Sequence, residues 1–498
     1  MKRDNPCQFE QVRRALSHYP IGIFESMLEI AGRLKTKLYL SGGALRDLLL
    51  GVTPNDLDFT ISRGAVRFLE EIKNLQGAGT VVRLGERHDD TCRLVMQEWT
   101  IDVTGFRTGA STIEEDLTKR DFTINALGAE VNDILDQTTL PRLIDPLDGF
   151  EDLQRGIIRS CPGAFSDDPL RMLRAFRFAA LLDFRIDPSA IAEITALSHL
   201  LSKSAAERIR YEFDQMLMSP RASAAVYSMA GTGLLQQIAP ELLEGDGVSQ
   251  PPFHHLDVMQ HNMFTLECLE RIIAEPRIFF PSCPEALTAY VEDADKMKLL
   301  KWAALFHDAG KPATKKISKE RDDRITFHAH EDAGSMMFGD FASRLRWSTR
   351  HKQWVSKLIA MHMHPFHLCN VLRSEGGISR RAKLKICRRA GEDLAGLFLL
   401  ALADSLAGNG PEKPEGIEKM VAELYCELEA MSEELLRPLI NGPKLLTGHD
   451  LIDTLGLAPG PQFKEILEAV EMAFLEGNIA NRKEALAWVR RYLSVDNK

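Results

Sequence analysis

The chain lacks any apolar run long enough to cross a membrane. Its longest continuously apolar stretch, residues 394–403, is about half the length that a membrane-spanning helix needs. The N-terminal residues lead into no apolar segment of the kind that a secretory signal contains. None of the eight cysteines stands in a Cys-x-x-Cys pair, which argues against a zinc ribbon and favours a reducing compartment. We therefore expect a cytoplasmic protein without a membrane partner.

The chain also lacks the net positive charge that is typical of nucleic-acid-binding proteins. Its 71 Asp and Glu outnumber its 61 Lys and Arg, and the formal net charge is −10. Net charge does not describe how charges are distributed, and a local basic patch can still attract a polyanion. One segment, residues 379–389, carries six basic side chains and no acidic one: Arg380, Arg381, Lys383, Lys385, Arg388 and Arg389. This segment is either a solvated helix face or a contact for an RNA backbone.

The order of the periodic patterns predicts a small α/β head followed by a long all-helical body. At roughly 150 residues per domain, the chain has the length of about three domains. Short strand-prone runs separated by turns or helical stretches occupy residues 38–40, 57–62, 80–84, 92–96 and 99–103. Helical periodicity begins near Glu114 and dominates from Pro169 to the end. Helix-breaking residues cluster at 244–252 and 408–414, which marks candidate boundaries.

A glycine pair follows the first strand-prone run, in the sequence Ser41-Gly42-Gly43-Ala44-Leu45-Arg46-Asp47. Glycine allows a backbone to approach a ligand closely, and a helix N-terminus offers free N–H groups to an anion. The Arg46 guanidinium is a charged fork that suits phosphate. This segment predicts a phosphate-binding loop, although Gly-Gly turns before helices are also common without a ligand.

Two carboxylates follow in the sequence Asp56-Leu57-Asp58. On a strand these side chains point to the same face, where they repel each other unless a cation lies between them. Mg²⁺ takes hard oxygen ligands of this kind, and Asp102 on a later strand is a candidate third ligand. Two metals held in this way would activate an attacking hydroxyl and stabilise a leaving pyrophosphate. The alternative is an exposed turn that carries two aspartates.

These segments resemble the head of the class II tRNA nucleotidyltransferase and bacterial poly(A) polymerase superfamily, which is matched by residues 42–47, Gly51 and residues 56–59. Four later segments resemble the remaining motifs of that superfamily in the same order, at residues 116–127, 144–153, 167–178 and 207–212. Five motifs in order form a very specific pattern. The resemblance implies a nucleotidyltransferase head and an activity that extends an RNA 3′ end without a nucleic-acid template.

The resemblance also assigns roles to residues. Asp168 and Arg171 would read the incoming base, since a carboxylate can accept from cytosine N4 or adenine N6 and a guanidinium donates to ring acceptors. Asp168 before Pro169 is at the same time a suitable helix cap. Gly43 and Arg46 would bind the triphosphate, and Arg120 and Arg174 the nucleotide. The further expected nucleotide-binding residues are Gly42, Asp47, Asp121, Asn125 and Arg177.

One departure from the family concerns the segment between Arg107 and Glu115, which has only seven residues, 108–114. Many CCA-adding relatives carry a longer flexible loop there, which is tied to the switch from C to A addition. A short loop resembles members that add only part of CCA, notably CC-adding ones. This similarity puts full CCA addition in doubt and implies a complementary A-adding enzyme as a partner.

A second constellation lies in the helical body, where His307-Asp308 ends an apolar helical run, with His261 upstream and Asp404 downstream. Histidine and carboxylate ligands from separate helices suit a divalent transition metal or Mg²⁺. This order of residues resembles the HD phosphohydrolase superfamily, which implies a divalent metal of unknown identity. The candidates for a second metal position are His330, His362 and His364. The alternative is a degenerate HD fold that serves as an RNA-binding scaffold.

We expect four domains: a nucleotidyltransferase head at residues 20–155, a helical neck at 156–247, an HD domain at 253–410 and a helical tail at 411–498. The expected enzyme is Mg²⁺-dependent, with catalytic residues Asp56, Asp58 and Asp102. It adds C, A or both from CTP and ATP to tRNA or another RNA 3′ end. Two alternatives stay open, namely a poly(A) polymerase and an HD phosphohydrolase whose head only binds.

Overall fold

The structure is a computed structural model, and it describes residues 6–17, 19, 22–54, 56–84, 90–96, 99–136, 138, 141–318, 324–438 and 444–495. Residue 20, at the expected start of the head, and residues 496–498, at the end of the expected tail, lie outside these ranges. The chain divides into two compact units. The first comprises Met1–Ser219 and Ser228–Ile238, and the second comprises Pro220–Tyr227 and Ala239–Lys498. The finer division into four domains stays a prediction.

The first unit is built on a six-stranded mixed sheet with the strand order β3-β4-β5-β2-β1-β6. Only the central pair β2 and β5 is parallel, and the other neighbours are antiparallel. The strands are β1 (Tyr39–Ser41), β2 (Asp56–Ile61), β3 (Thr80–Leu84), β4 (Thr91–Val95), β5 (Thr100–Gly105) and β6 (Gly128–Glu130). The expectation of an α/β head is confirmed. Sequence analysis missed β6, whose three residues carry too short a pattern to distinguish from a turn.

Alternation along β2 explains why the two aspartates share a face. Leu57, Phe59 and Ile61 are buried in the core, while Asp56 and Asp58 point to the opposite face and are partly exposed. The parallel register sets Asp58 directly beside Asp102 of β5. The sheet therefore gathers the three predicted catalytic carboxylates from two adjacent strands.

Helices make up most of the remaining chain, as expected. Up to residue 243 they are α1 (Pro6–Leu16), α2 (Ile23–Arg33), α3 (Gly42–Leu49), α4 (Ala65–Gln76), α5 (Ile113–Thr118), α6 (Val131–Leu135), α7 (Gly149–Arg155), α8 (Ala164–Asp167), α9 (Arg171–Leu182), α10 (Pro188–Leu197), α11 (Ala206–Leu217), α12 (Ala222–Ala230), α13 (Leu234–Ile238) and α14 (Pro240–Leu243). Short 3₁₀ turns cover Thr123–Asn125 and Ser198–Lys203. A parallel strand pair, β7 (Ile157–Ile158) and β8 (Arg185–Ile186), flanks α9.

The second unit continues with helices α15 (Val258–Ala274), α16 (Pro276–Phe279), α17 (Pro284–Val291), α18 (Ala294–Phe306), α19 (Lys311–Thr314), α20 (His330–Arg344), α21 (Thr349–Met361), α22 (His364–Glu375), α23 (Arg380–Ala390), α24 (Leu394–Ala407), α25 (Ile417–Met431), α26 (Gly448–Asp453), α27 (Gln462–Leu475) and α28 (Arg482–Val495). A 3₁₀ turn covers Gly391–Asp393, and a π-helical turn covers Ser432–Leu436. A small hairpin, β9 (Lys316–Ser318) with β10 (Arg324–Thr326), departs from the expected all-helical body.

Helix α24 lies at the centre of the second unit and contacts α15, α18 and α25. Every residue of α24 except Leu406 is buried, which explains why its sequence is apolar on all sides. The longest apolar stretch of the chain is therefore a core helix. Among the described residues, no helix is long and apolar enough to span a bilayer.

Two cysteines that are far apart in the sequence form a disulfide in the second unit. Cys283 precedes α17 and Cys426 lies on α25, 143 residues later, and their Cα atoms are 5.6 Å apart. Five further cysteines are buried and form no disulfide, namely Cys92, Cys161, Cys268, Cys369 and Cys387. Sequence spacing gave no sign of this pair, because the two side chains meet only in the folded chain, where α17 and α25 both pack against α24.

A test of the head fold uses Gly149, the first residue of α7. A Cβ at this position would collide with the backbone carbonyl of Thr123, which has no freedom to move away. We expect Gly149→Ala to lower the free energy of unfolding by about 1–3 kcal/mol, the usual cost of overpacking. Gly32→Ala in α2 is the matched control, since a Cβ there meets open space. Equal melting temperatures of the two variants in calorimetry would contradict the prediction.

Candidate functional site

A cavity of about 790 Å³ in the first unit collects residues from four of the five motifs. The third motif, residues 144–153, contributes no lining residue among those described. The predicted nucleotide-binding residues that line the cavity are Gly43, Arg46, Arg120, Asp121, Asn125, Asp168, Arg171, Arg174 and Arg177. Gly42 and Asp47 are not among the described lining residues. Asp58 also faces this cavity, so one carboxylate of the paired aspartates shares it with the arginines.

The glycine pair opens helix α3 directly after β1. Gly42 has a φ of +73°, and a Cβ there would clash with the Arg120 guanidinium, so both the backbone and the neighbouring side chain require glycine. The N–H of Ala44 in the first turn donates to Asp58 Oδ2 at 3.3 Å. The N-terminus of α3 thus stabilises the negative charge of Asp58.

Arg46 lies buried beneath the loop that it was expected to complete. Its Nη1 donates to Asn125 Oδ1 at 2.8 Å and its Nε donates to Asp47 Oδ1 at 2.8 Å. The guanidinium also lies over the Phe178 ring, 4.8 Å from its centroid. These contacts hold the Arg46 fork in place before any phosphate arrives.

The carboxylates of the sheet lie in different environments. Burial raises the pKa of Asp58 to about 6, against the opposing effect of Arg120. Asp56 accepts from the Thr100 hydroxyl, and its Oδ2 lies 3.0 Å from an Arg93 nitrogen. Asp102 is held by the same Arg93, with both carboxylate oxygens 2.7 Å from guanidinium nitrogens.

The donor set of the head fits a Mg²⁺ ion. Asp56 and Asp58 lie on one strand face, where their oxygens are hard ligands of the kind that Mg²⁺ prefers, and a bound cation would stabilise the ionised form of the buried Asp58 carboxylate. These two residues would hold the ion. Asp102 is in register with Asp58, but its oxygens are engaged by Arg93.

On the nucleotide side of the cavity, a buried aspartate organises the arginines. Asp121 Oδ2 accepts from Arg174 Nε at 2.9 Å and from Nη2 at 2.6 Å, and Asp121 Oδ1 accepts from Asn125. Burial alone would raise the pKa of Asp121, but Arg174 and Asn125 outweigh it and hold the pKa well below its usual range. Glu212 pairs with Arg177 at 3.2 Å. The guanidinium groups are therefore held by acidic partners.

Helix α9 begins at Arg171, so Asp168 lies before the cap position that the sequence predicted for it. Asp168 Oδ1 accepts from the N–H of Leu170 at 3.1 Å, and Oδ2 pairs with Arg208 of α11 at 2.8 Å. Arg171 donates to the carbonyl oxygens of Lys119 and Arg120, each at 3.2 Å. Both expected base-reading residues face the cavity.

Sequence analysis missed several residues at this site. Arg107, Arg208 and Tyr211 line the cavity, and Arg93 lies between the carboxylates. Arg208 and Tyr211 stand inside the fifth motif, which was the available signal. Arg93 had none, because its pairing with Asp102 depends on the antiparallel register of β4 and β5.

The second unit brings together six of the seven residues expected at the HD site. They form two buried groups, His261 with His307 and Asp404, and Asp308 with His330 and His362. Asp308 lies between the groups: its Oδ2 is 3.3 Å from His307 Nε2, and its Oδ1 is 3.1 Å from His330 Nε2. The ligands therefore fit two adjacent divalent cations that share one carboxylate.

Backbone contacts orient the histidines toward this cluster. The Nδ1 atoms of His307, His330 and His362 lie 2.7–2.8 Å from carbonyl oxygens three residues earlier, which leaves each Nε2 directed at its neighbours. Burial would raise the pKa of Asp308, but Lys311 and His307 hold it well below the usual range. An ionised carboxylate beside oriented imidazoles is suited to binding a metal.

His364 lies apart from both groups among the described residues. Its Nε2 accepts from Arg389 at 2.9 Å, because His364 begins α22 and points toward α23. Beside the cluster, a cavity of about 590 Å³ is lined by Asp308, Asp404 and four cationic side chains, Lys311, Arg324, Arg373 and Lys413. His254, which also lines it, stacks edge-on against His261 and was missed by sequence analysis.

The basic segment forms helix α23, and part of its charge is used inside the chain. Lys383 pairs with Glu427, and Arg388 pairs with Glu471 at 2.8 Å. Arg381 lies 3.5 Å from Glu476. Arg380, Arg381, Lys385 and Arg389 are exposed. Lys383 and Arg388 therefore attach the helix to α25 and α27, and the contact of the segment with an RNA backbone stays a prediction.

Comparison with known proteins gives four family matches. The Poly A polymerase head domain matches residues 38–159, and an HD domain matches residues 283–409. The family described as "Probable RNA and SrmB- binding site of polymerase A" matches residues 183–245, and the one described as "tRNA nucleotidyltransferase domain 2 putative" matches residues 429–489.

Relatives that match most of the chain differ in the activity for which they are named. An A-adding tRNA nucleotidyltransferase of Deinococcus radiodurans is 32% identical over 461 residues, which cover 91% of this chain and 95% of that protein. A CC-adding tRNA nucleotidyltransferase of Thermus thermophilus is 30% identical over 459 residues, covering 90% and 92%. A solved CCA-adding enzyme in complex with CTP shares the fold, with a TM-score of 0.60 and 20% identity over 96% of this chain and 97% of that one.

Proposed function

The chain belongs to the tRNA nucleotidyltransferase family, and from this membership we propose that it adds C, A or both from CTP and ATP to the 3′ end of tRNA. The observation that carries the proposal is the head cavity, in which Asp58 shares one space with Arg171 and Arg174. One cavity thus holds a carboxylate that would bind Mg²⁺ and side chains that would bind the incoming nucleotide, which suits template-free nucleotide addition.

Asp56 and Asp58 would hold Mg²⁺, which supplies activation of the RNA 3′-hydroxyl and charge neutralisation at the α-phosphate. Gly43 and Arg46 line the same cavity, where they would bind the triphosphate. Arg46 needs no reorganisation for this role, since Asn125 and Asp47 already orient it. Arg120, which donates to Ser41 and Thr60, would form the wall of the nucleotide site.

Asp168 and Arg171 would select the base. A carboxylate accepts from the amino group that both cytosine and adenine carry, and it repels the carbonyl oxygen that guanine and uracil present there. Arg208 holds the Asp168 carboxylate through Oδ2, and Arg171 donates to the carbonyl oxygens of Lys119 and Arg120. The selecting groups are thus oriented before the nucleotide binds.

We propose that addition is partial and stops after two C residues. The segment 108–114 is short and well anchored: Lys119 Nζ donates to Thr108 O at 2.6 Å, and Arg107 Nη1 pairs with the buried Asp116 at 2.8 Å. An anchored loop favours a single geometry of the base-reading site, whereas a switch from C to A addition would need two geometries. A relative named as CC-adding agrees with this proposal, whereas the relative named as A-adding favours A addition.

The products on tRNA test this proposal. Transcripts that end at the discriminator base, at C and at CC are incubated with Mg²⁺ and with CTP, ATP or both, and the products are sized on a gel. We expect two C residues to be added and none thereafter, which would leave A addition to a complementary enzyme. Asp58→Ala should abolish all addition.

Other products would contradict parts of the proposal. Addition of the full CCA sequence would show that the short loop permits the switch from C to A addition. Addition of a single A to the CC transcript alone would identify the chain as an A-adding enzyme. A long A ladder would identify a poly(A) polymerase. Addition by Asp58→Ala equal to that of the unmodified chain would overturn the catalytic assignment.

For the HD domain we propose two divalent metals and hydrolysis of phosphate esters, such as a 2′,3′-cyclic or terminal phosphate on an RNA end. The position of Asp308 between two groups of imidazoles supports this proposal. Four imidazoles favour a transition metal such as Mn²⁺, Co²⁺ or Ni²⁺ over Mg²⁺. The cationic side chains of the adjacent cavity suit a phosphate substrate.

Removal of the shared carboxylate tests the HD proposal. We expect Asp308→Asn to lose most of its bound metal, measured by plasma mass spectrometry after dialysis, and to lose hydrolysis of 2′,3′-cyclic AMP. Asp58→Ala is the matched control, which should retain both. If the unmodified chain binds no metal and hydrolyses no 2′,3′-cyclic AMP, the HD domain would instead be an RNA-binding scaffold. Hydrolysis without nucleotide addition in the unmodified chain would favour a phosphohydrolase with a binding head.

We propose that the exposed cations of α23 contact the RNA backbone. Arg380→Glu with Lys385→Glu should weaken tRNA binding about tenfold at low salt and flatten its salt dependence, because phosphate contacts release counterions. Nucleotide affinity should stay unchanged. Arg388→Glu is the comparison: it should lower the melting temperature, because it places three carboxylates together at α27. Unchanged tRNA affinity in the double variant would remove α23 from the RNA interface.

A further inference from the structure

Arg93 is a cation that lies within the carboxylate cluster of the head. It stands on β4 directly opposite Asp102 on β5 in the antiparallel register. Its Nε and Nη2 each lie 2.7 Å from one oxygen of Asp102, and Nη2 also lies 3.0 Å from Asp56 Oδ2. One guanidinium therefore contacts two of the three carboxylates that the fold gathers.

These contacts compete with metal binding for physical reasons. A bidentate guanidinium–carboxylate pair uses a lone pair on each oxygen of Asp102 and keeps a positive charge beside both, so a metal ion that approaches either oxygen is repelled. The second contact engages one oxygen of Asp56, and the Thr100 hydroxyl donates to the other. Asp58 is the carboxylate of the three that Arg93 does not touch, and it faces the nucleotide cavity. A fixed positive charge beside Asp56 also repels a divalent ion.

We propose that Arg93 is a resident cation that withdraws Asp102 from the metal ligands and lowers the affinity of the head for divalent metal. Asp102 is then a positioning residue that acts through Arg93, and Asp56 and Asp58 remain as ligands. The enzyme consequently needs more Mg²⁺ for half-maximal activity than it would without this guanidinium. Only this kinetic consequence rests on the proposed nucleotidyltransferase function.

Mn²⁺ binding tests the proposal without reference to activity. The full-length chain carries Asp308→Asn and Asp404→Asn throughout, so that the HD cluster contributes little, and free Mn²⁺ is measured by electron paramagnetic resonance. We expect Arg93→Gln to bind Mn²⁺ about tenfold more tightly, because a unit charge is removed next to the ligands. Arg83→Gln on the neighbouring strand β3 is the matched control, whose exposed side chain should leave the affinity unchanged.

A third variant identifies the released ligand. Adding Asp102→Asn to Arg93→Gln should return Mn²⁺ affinity to that of the background protein, because the freed carboxylate is lost again. An affinity gain that survives this change would overturn the assignment of Asp102. Unchanged or weaker Mn²⁺ binding in Arg93→Gln would overturn the proposal as a whole.

Two further measurements distinguish an effect of Arg93 on metal binding from effects on stability and on nucleotide addition. If Arg93→Gln melts at a lower temperature than the background, Arg93→Lys replaces it. An ammonium cannot form the planar bidentate pair with Asp102, so we expect about threefold tighter binding. No gain there would also overturn the proposal. In nucleotide addition, Arg93→Gln should reach half-maximal rate at a lower Mg²⁺ concentration. Absence of addition by the unmodified chain would refute the proposed function, while the Mn²⁺ result would still decide the role of Arg93.

Discussion

The parallel pairing of β2 with β5 is the constraint on which the chemistry of the head depends. It sets Asp58 beside Asp102 and Asp56 beside Thr100, and so concentrates negative charge on one face of the two central strands. Three neighbouring carboxylates are unstable together unless positive charge is supplied. The N-terminus of α3, Arg120 and Arg93 supply it from three directions, and each of them also shapes the space left for substrate.

The same electrostatic requirement organises the nucleotide side of the cavity. Arg174 and Arg177 approach each other on α9, and the buried Asp121 and Glu212 compensate their charge. A buried cation with a hydrogen-bonded acidic partner keeps one orientation. Its binding to a ligand therefore costs less conformational entropy than the binding of a mobile side chain. The base selection that we propose needs such orientation, because protein groups alone would have to recognise the base.

The second unit uses a different solution to gather charge. Its ligands come from five separate helices or helix ends, and the packing of the apolar helix α24 between α15 and α18 brings Asp404 to His261 and His307. Backbone carbonyls fix the imidazoles, and Asp308 joins the two groups. A core that is otherwise apolar makes this cluster of ionisable groups costly without metal, which is a reason to interpret it as a metal centre.

The sequence by itself determined the features that depend on local spacing. Periodicity and motifs predicted five of the six strands in the head sheet, the shared face of Asp56 and Asp58, the glycine at the start of α3 and the HD ligands in their order. Tertiary structure decided what depends on register and helix packing. The contact of Arg93 with Asp102 follows from the pairing of β4 with β5. The direction of α22 separates His364 from the HD cluster. The packing of α23 places Lys383 and Arg388 in ion pairs within the chain. Such contacts join residues on different strands and helices, and a sequence pattern does not contain the distance between residues that are far apart in the chain.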